Sequence, residues 1–307
     1  MTTTEMQRPP LKAAKSSHAK KAKERLTSPG ATAAAIVIAL VWTIPILGLF
    51  MTSLRPGALY RTTAWWGVFS DGHLTLSNYS TVLFESFGDS ANSAPLLGNV
   101  FNSLVITVPA VVFPLVLALM ASYAFAWIPF RGSDFLFVTI FALQVVPLQL
   151  ALIPLLKALG PNGLGIAGEF PGIWIAHTIF GLPLAVFLLY NFISQIPREV
   201  IEAARVDGAS HTQLFFRIII PLSLPAVASL GIFQFLWVWN DLLVASVFGS
   251  TKTYPLTYPL ANLAGGYGAT EYLVPAAAFV SMIVPLIVFF SLQRYFVRGL
   301  LAGSTKG

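Results

Sequence analysis

The chain contains no cysteine, which excludes disulfides, thiol nucleophiles and cysteine-ligated zinc. Charge is scarce as well. Only 10% of the 307 residues are Asp, Glu, Lys or Arg, against about 25% in an average soluble domain. The four histidines, His18, His73, His177 and His211, form no HxH or HxxxH pair, so no metal site is expected. No GxxxxGK[ST] loop occurs, so the chain carries no nucleotide-hydrolysing cradle of its own. Apolar residues make up 56% of the sequence, and the mean hydropathy is +0.76. That value excludes disorder, which requires low hydrophobicity, and it excludes a soluble globule of this length.

The apolar residues are concentrated in six runs long enough to cross a bilayer, each near the roughly 20 residues that a spanning helix requires. They fall at about 31–54, 102–128, 135–156, 171–193, 222–248 and 274–293. Within them Asp241 is the single acidic or basic residue. Prolines occur inside several runs, among them Pro109, Pro114, Pro147 and Pro154; such breaks require neighbouring helices or water to satisfy the freed carbonyls. The first run exceeds the apolar core of a signal peptide and has no A-x-A site after it, so it reads as a retained helix. The sequence therefore predicts an all-α, polytopic membrane protein with six transmembrane helices.

The positive charge is uneven. Residues 1–25 hold seven basic residues against Glu5 and Glu24, directly before the first apolar run. An anionic membrane surface suits that arrangement better than nucleic acid does. With the N-terminus inside, only Arg55, Arg61, Lys157 and Lys252 fall outside, and the other basic residues fall inside. The positive-inside rule thus predicts that both termini are cytoplasmic. It also makes 55–101, 157–170 and 249–273 the outer loops. Trp42, Trp65, Trp66, Trp127 and Trp174 sit near the expected interfaces, as an aromatic belt would place them.

The loop between spans four and five, NFISQIPREVIEAARVDGASHTQLFFRIIIPLSLP, is the most polar stretch of the apolar portion. Pro197 suits a helix start, and Glu199 lies in the first turn near the positive dipole end. Gly208 is a C-terminal stop after about Asp207. Ser210 with Gln213 forms a capping box that starts a second helix. Small residues at Ala203, Ala204, Gly208 and Ala209 permit close approach of another backbone, and Glu202, Arg205 and Asp207 supply charge. A docking knob and a plain interfacial linker both fit this composition.

The spacing goes further. Glu202-Ala203-Ala204, three residues, Gly208, nine residues, Ile218, one residue, Ile220 and Pro221 resembles the EAA motif of binding-protein-dependent ABC importer permeases, with Ile220 in place of the usual leucine. The flanks FISQIPREVIEAARVDGAS and QRYFVRGLLAGSTKG are similar to carbohydrate-uptake permeases, in particular the smaller permease subunit of maltose-type systems. The resemblance covers about 95–307, and the first span more loosely. It implies a type I ABC importer permease in which this hairpin is the coupling element. Glu202, Ala203, Ala204, Asp207, Gly208 and Pro221 would then face a separate ATPase dimer, and ATP and Mg would be bound there rather than by this chain. It further implies a second, non-identical permease and an extracytoplasmic sugar-binding protein, with the complex in the inner membrane of a bacterium or archaeon. The C-terminal Gly303–Gly307 tail would reach toward the ATPase interface. On this reading 1–30 is a basic tail, 31–98 the first helix and outer loop, 99–297 the permease core with its EAA loop at 194–221, and 298–307 the cytoplasmic tail.

Intramembrane polar residues usually face a cavity or the bundle interior. Gln234, Trp237 and Asp241, at i, i+3 and i+7, share one helix face, and the amide, indole and carboxylate suit a sugar. Asn240–Asp241 lies in a WND tripeptide that also looks family-like. Equally, Asp241 can pair with a neighbouring helix. Gln144 and Gln149 flank Pro147 and either line a path or join helices. His177 is read as a hydrogen-bonded bundle residue rather than a proton relay. The last outer loop, with Tyr258 and Gly265-Gly266-Tyr267-Gly268, is either a plain connector or, as in maltose-type relatives, a loop that enters the binding protein's sugar cleft. Two rival classes stand beside the importer. An ion-coupled secondary transporter would show inverted repeats and paired intramembrane carboxylates. A non-transporting membrane scaffold would need no coupling loop.

Overall fold

A computed structural model of the protein describes residues 29–86, 95–265 and 270–304, with side chains through Gln293. The basic N-terminal tail, Gly266, Tyr267, Gly268 and the last three residues lie outside the described residues. Among those described, every regular element is helical.

Helix α1 (Pro29–Ser53) is apolar on all sides and exposes nearly all of its length, burying only Gly48 and Ser53. Thr43 and Thr52 donate to the carbonyls of Ala39 and Gly48, both at 2.7 Å, so their hydroxyls are satisfied within the helix. After a connecting segment and the short helix α2 (Ser77–Phe84) comes α3 (Leu96–Trp127), whose 32 residues extend about 48 Å at 1.5 Å per residue, more than a hydrocarbon core requires. Long α6 (Phe170–Ile193) packs along it. Alanines line this seam: Ala110, Ala118, Ala176 and Ala185 are buried, letting the backbones close up where hydrophobic burial offers no drive.

Between them the third apolar run is a broken element. Helix α4 (Ser133–Ala142) passes through a 3₁₀ turn at Leu143–Val145 and bends by 106° into α5 (Leu148–Leu159). The run expected at 135–156 is thus present as a pair of helices broken at the proline inside it. Pro147 supplies the reason: it fixes its own φ at −58°, lacks an N–H, and drives Val146 into the extended region. Among the described residues five helices are long and apolar enough to span alone, and the bent pair makes up to six.

Helix α7 (Arg198–Val206) leads through a corner into α8 (His211–Trp239), which contains a π-helical turn at Phe215–Ile219. Pro221 lies just beyond it; the missing N–H removes the bond that a regular α-helix would make to Arg217. The second helix of the hairpin and the fifth span are therefore one rod. That span also stops at Trp239 rather than continuing to 248. The chain breaks at Asn240–Leu242 before the short α9 (Leu243–Phe248), and so Asp241 sits at a helix break. Helices α10 (Thr257–Gly265) and α11 (Val274–Ser304) complete the chain, with α11 packed against α8 and α1.

The core is divided. One cluster, with Tyr123, Leu189, Ile193, Ile201, Leu214 and Ile219, joins the ends of α3 and α6 to the hairpin. Two others hold the opposite end, one around Leu96, Trp239, Leu256 and Ala276, the other around Ile106, Ile173, Val238 and Phe248.

Candidate functional site

The hairpin begins after Pro197, whose ψ of 136° sets the chain entering α7. Only Ile201 of α7 is buried, while Glu202, Ala203, Val206, Asp207 and Gly208 face outward, Arg205 is exposed but turned toward α3, and Ala204 is half-buried on the core. At the corner Gly208 adopts φ +81°, a conformation costly for any residue with a Cβ. Its N–H donates to the carbonyl of Arg205 at 3.0 Å, and the Ala209 N–H to that of Ala204 at 2.9 Å, the paired closure of a Schellman motif. Ser210 Oγ accepts from the Gln213 N–H and Gln213 Oε1 from the Ser210 N–H, so the expected capping box is present.

Three attachments hold the hairpin to the spans. Ile201 inserts among Tyr123, Ile193 and Leu214. Arg205 donates to the terminal carbonyl of α3 at Trp127, 3.3 Å away. The Tyr123 hydroxyl pairs with His211 Nδ1 at 2.8 Å. The sequence gives no sign of the last two, since their partners lie 78 and 88 residues apart. Pro221 is exposed at the first turn of the α-helical part beyond the π turn.

The intramembrane candidates separate into two groups. Gln234 is buried and faces α3 and α6: its Nε2 reaches the Ala110 carbonyl at 3.4 Å, and a Cβ added at Gly181 would lie 2.6 Å from that nitrogen. One turn away along α6 is His177, 1% exposed. Its ring meets Trp237 edge-on at 5.7 Å, and its Nε2 lies 3.8 Å from Asp241 Oδ2. Asp241 Oδ2 also accepts from the Ala245 N–H at 3.0 Å, capping α9, and its carbonyl accepts from Thr257 Oγ1 at 2.6 Å. Asn240 donates back to the Leu236 carbonyl and closes α8. Gln234, Trp237 and Asp241 thus each meet α6, but α8 ends at Trp239, so the break rather than a shared helix face places Asp241 there. Gln144 and Gln149 do not join them; they flank the break between α4 and α5 and are exposed. Sequence spacing offers no means of pairing His177 with Asp241, 64 residues on.

In the loop between α9 and α11 Tyr258 stacks on Tyr254 with ring centroids 3.6 Å apart. The hydrogen bond to Tyr258, and then burial, push the Tyr254 phenol above its ordinary value, so the ring stays neutral at physiological pH. Asn99 and Asn102 hold the Tyr254 carbonyl at 2.8 and 3.1 Å. Gly265 is exposed at the end of α10. No group of three or more His, Cys, Asp or Glu suited to a metal occurs among the described residues.

Comparison with known proteins matches these features to a family. Residues 92–301 match the family described as "Binding-protein-dependent transport system inner membrane component". The osmoprotective compounds uptake permease protein GgtD of Synechocystis is 51% identical over 275 residues, covering 89% of this chain and 90% of the relative. The alpha-glucoside transport system permease protein AglG of Rhizobium meliloti is 52% identical over 242 residues, which are 76% of this chain and 60% of that longer protein. The trehalose transport system permease protein SugB of Mycobacterium tuberculosis is 32% identical over 274 residues, covering 86% of this chain and 92% of SugB. A bacterial ABC transporter involved in the import of alginate superposes with a TM-score of 0.64 at 23% identity, covering 88% of this chain and 98% of that one. The hairpin, the helix count and these matches agree, and the chain belongs to the binding-protein-dependent transport system inner membrane components, as an ABC importer permease subunit rather than an enzyme or an ion-coupled carrier.

Proposed function

We propose that the chain is one of two non-identical permeases in an importer for di- or oligosaccharides, working by alternating access between two conformations. An extracytoplasmic binding protein delivers the sugar and a cytoplasmic ATPase dimer, holding ATP and Mg, drives the cycle. Both termini and the hairpin face the cytoplasm, as the distribution of basic residues requires. The reading rests chiefly on the hairpin. Its outward face carries Glu202, Ala203, Val206, Asp207 and Gly208, while its inward face is fixed to α3 and α6 through Ile201, Arg205 and His211. A push on the first face therefore reaches the spans without passing through a flexible joint. The alpha-glucoside and trehalose permeases among its relatives support a carbohydrate substrate. Asp241, Trp237 and Gln234, with Asn240 at the break, are the residues of this chain nearest to a path along α6. Gln144 and Gln149 complete the path only where a partner covers the exposed break. Tyr258 and Gly265 to Gly268 are assigned to contact with the binding protein.

Uptake of labelled trehalose and an alpha-glucoside in cells tests the proposal. Glu202→Arg is expected to abolish ATP-dependent uptake while the chain still inserts in the membrane in normal amount. Uptake by that variant at the wild-type rate would overturn the coupling assignment.

A further inference from the structure

At the same end of the molecule as the C-terminus of α1, a cavity of about 510 Å³ opens between the segment after α1, the start of α2 and the residues before α11. Its volume lies within the range of small-molecule sites. It is lined by Tyr60, Arg61, Ser77, Asn78, Thr81 and Tyr272, with the strap Pro56–Ala58. We propose that this cavity is a saccharide-binding subsite on the outer face of the permease, taking one or two neutral glycosyl units; the inference rests on the carbohydrate-import reading above.

The floor is fixed before any ligand arrives. Asn78, 2% exposed, donates its amide protons to the carbonyls of Ser53 and Arg55 at 2.9 and 2.8 Å. Buried Arg55 pairs with Asp71 at 3.0 Å and donates to Thr63 and Ala64. The Ser53 and Tyr79 hydroxyls bond at 2.7 Å. Gly57 lies flat against the Tyr272 ring, where an added Cβ would come within 2.9 Å of a ring carbon. One face of Tyr272 is thus covered and its orientation set. A site held by such a shell needs little ordering when ligand binds.

The lining selects the class of ligand. Asn78 has spent its donors and retains its carbonyl oxygen as an acceptor. Tyr60, Thr81 and Tyr272 bring hydroxyls that make no hydrogen bond among the described residues, and each can both donate and accept. The two tyrosines add apolar ring surface. Arg61 at the rim lies 3.6 Å from the Glu271 carboxylate, which offsets its charge. Alternating donors and acceptors, ring surface and balanced charge are the complement of a neutral polyhydroxylated ring.

The test uses the assembled importer in nanodiscs without the binding protein, with trehalose and maltose as probes and saturation-transfer NMR as readout. Wild type is expected to give a disaccharide signal. Thr81→Trp fills the cavity, and Thr81→Val removes one hydroxyl at nearly constant volume. The first is expected to remove the signal. The second should weaken binding about tenfold, the equivalent of one lost hydrogen bond of about 1.4 kcal/mol. A signal unchanged in both variants, or equally strong from empty nanodiscs, would overturn the proposal. So would a Thr81→Trp variant that loses affinity only for the binding protein, which would make the cavity a protein socket. Uptake by the wild-type importer with its binding protein is measured in parallel. Uptake without a nanodisc signal removes the subsite and leaves the import reading; a signal without any carbohydrate uptake removes the import reading and leaves the subsite.

Discussion

Three of the connections that Asp241 makes differ in what they require. Capping α9 through the Ala245 N–H needs only an oxygen acceptor, which asparagine keeps. The backbone carbonyl that receives Thr257 is indifferent to the side chain. The approach to His177 Nε2, at 3.8 Å, lies beyond hydrogen-bond range and is an ion pair only when the imidazole is protonated. Asp241→Ala is therefore expected to lose the cap, about 1 kcal/mol, and to lower the thermal midpoint of the purified chain by about 2 °C. Asp241→Asn should stay near wild type. Equal midpoints for the two variants, both below wild type, would make the His177 contact the larger contribution. His177 Nδ1 is buried without a hydrogen-bond partner among the described residues, so this side chain is held by its packing on Trp237 and by Asp241 rather than by a hydrogen-bond network.

Helix α7 has a structural face and a free face, and the two respond differently to truncation. Ile201 is fully buried; Ile201→Ala is expected to cost about 2–4 kcal/mol through the cavity it leaves and to release the hairpin from α3 and α6. Val206 is 88% exposed. Val206→Ala should leave stability within about 0.5 kcal/mol but weaken co-purification of the ATPase. Thermal midpoints and ATPase pull-down together separate the two effects, and a Val206→Ala variant that retains its ATPase fully would place the contact elsewhere on the hairpin. At this scale the sequence was most readable where the signal is local. Pro197, Gly208, Ser210 and Gln213 set the hairpin's start, corner and restart by bonds spanning a few residues. It was least readable where an apolar run conceals a break. The run at 135–156 has the composition of one span, yet Pro147 turns it by 106°. The helix end at Trp239 depends on Asn240 and Asp241 finding partners in α8, α9 and α10, and no window of hydropathy records that.

Across the whole molecule, inside and outside are set by charge rather than by packing, because a helical bundle has no intrinsic sense of direction in a bilayer. The long helices show mostly apolar surface: the best window of α1 is only 6% buried, and those of α3 and α8 are 33% buried each. Lipid or a second permease must cover that surface. The hairpin and the outer saccharide cavity stand at opposite ends of this apolar body, the first at the ends of α3 and α6, the second beyond the end of α1. Their assignments consequently share one requirement, that the hairpin end be cytoplasmic. The absence of cysteine makes the requirement directly measurable, since each introduced thiol is the only one present. Ala203→Cys, Leu164→Cys and Lys252→Cys replace exposed residues. In intact cells a membrane-impermeant maleimide is expected to label Cys at 164 and 252 and to leave Cys at 203 unlabelled until the membrane is opened. Labelling of 203 from outside would invert the molecule and put the hairpin out of reach of any cytoplasmic ATPase.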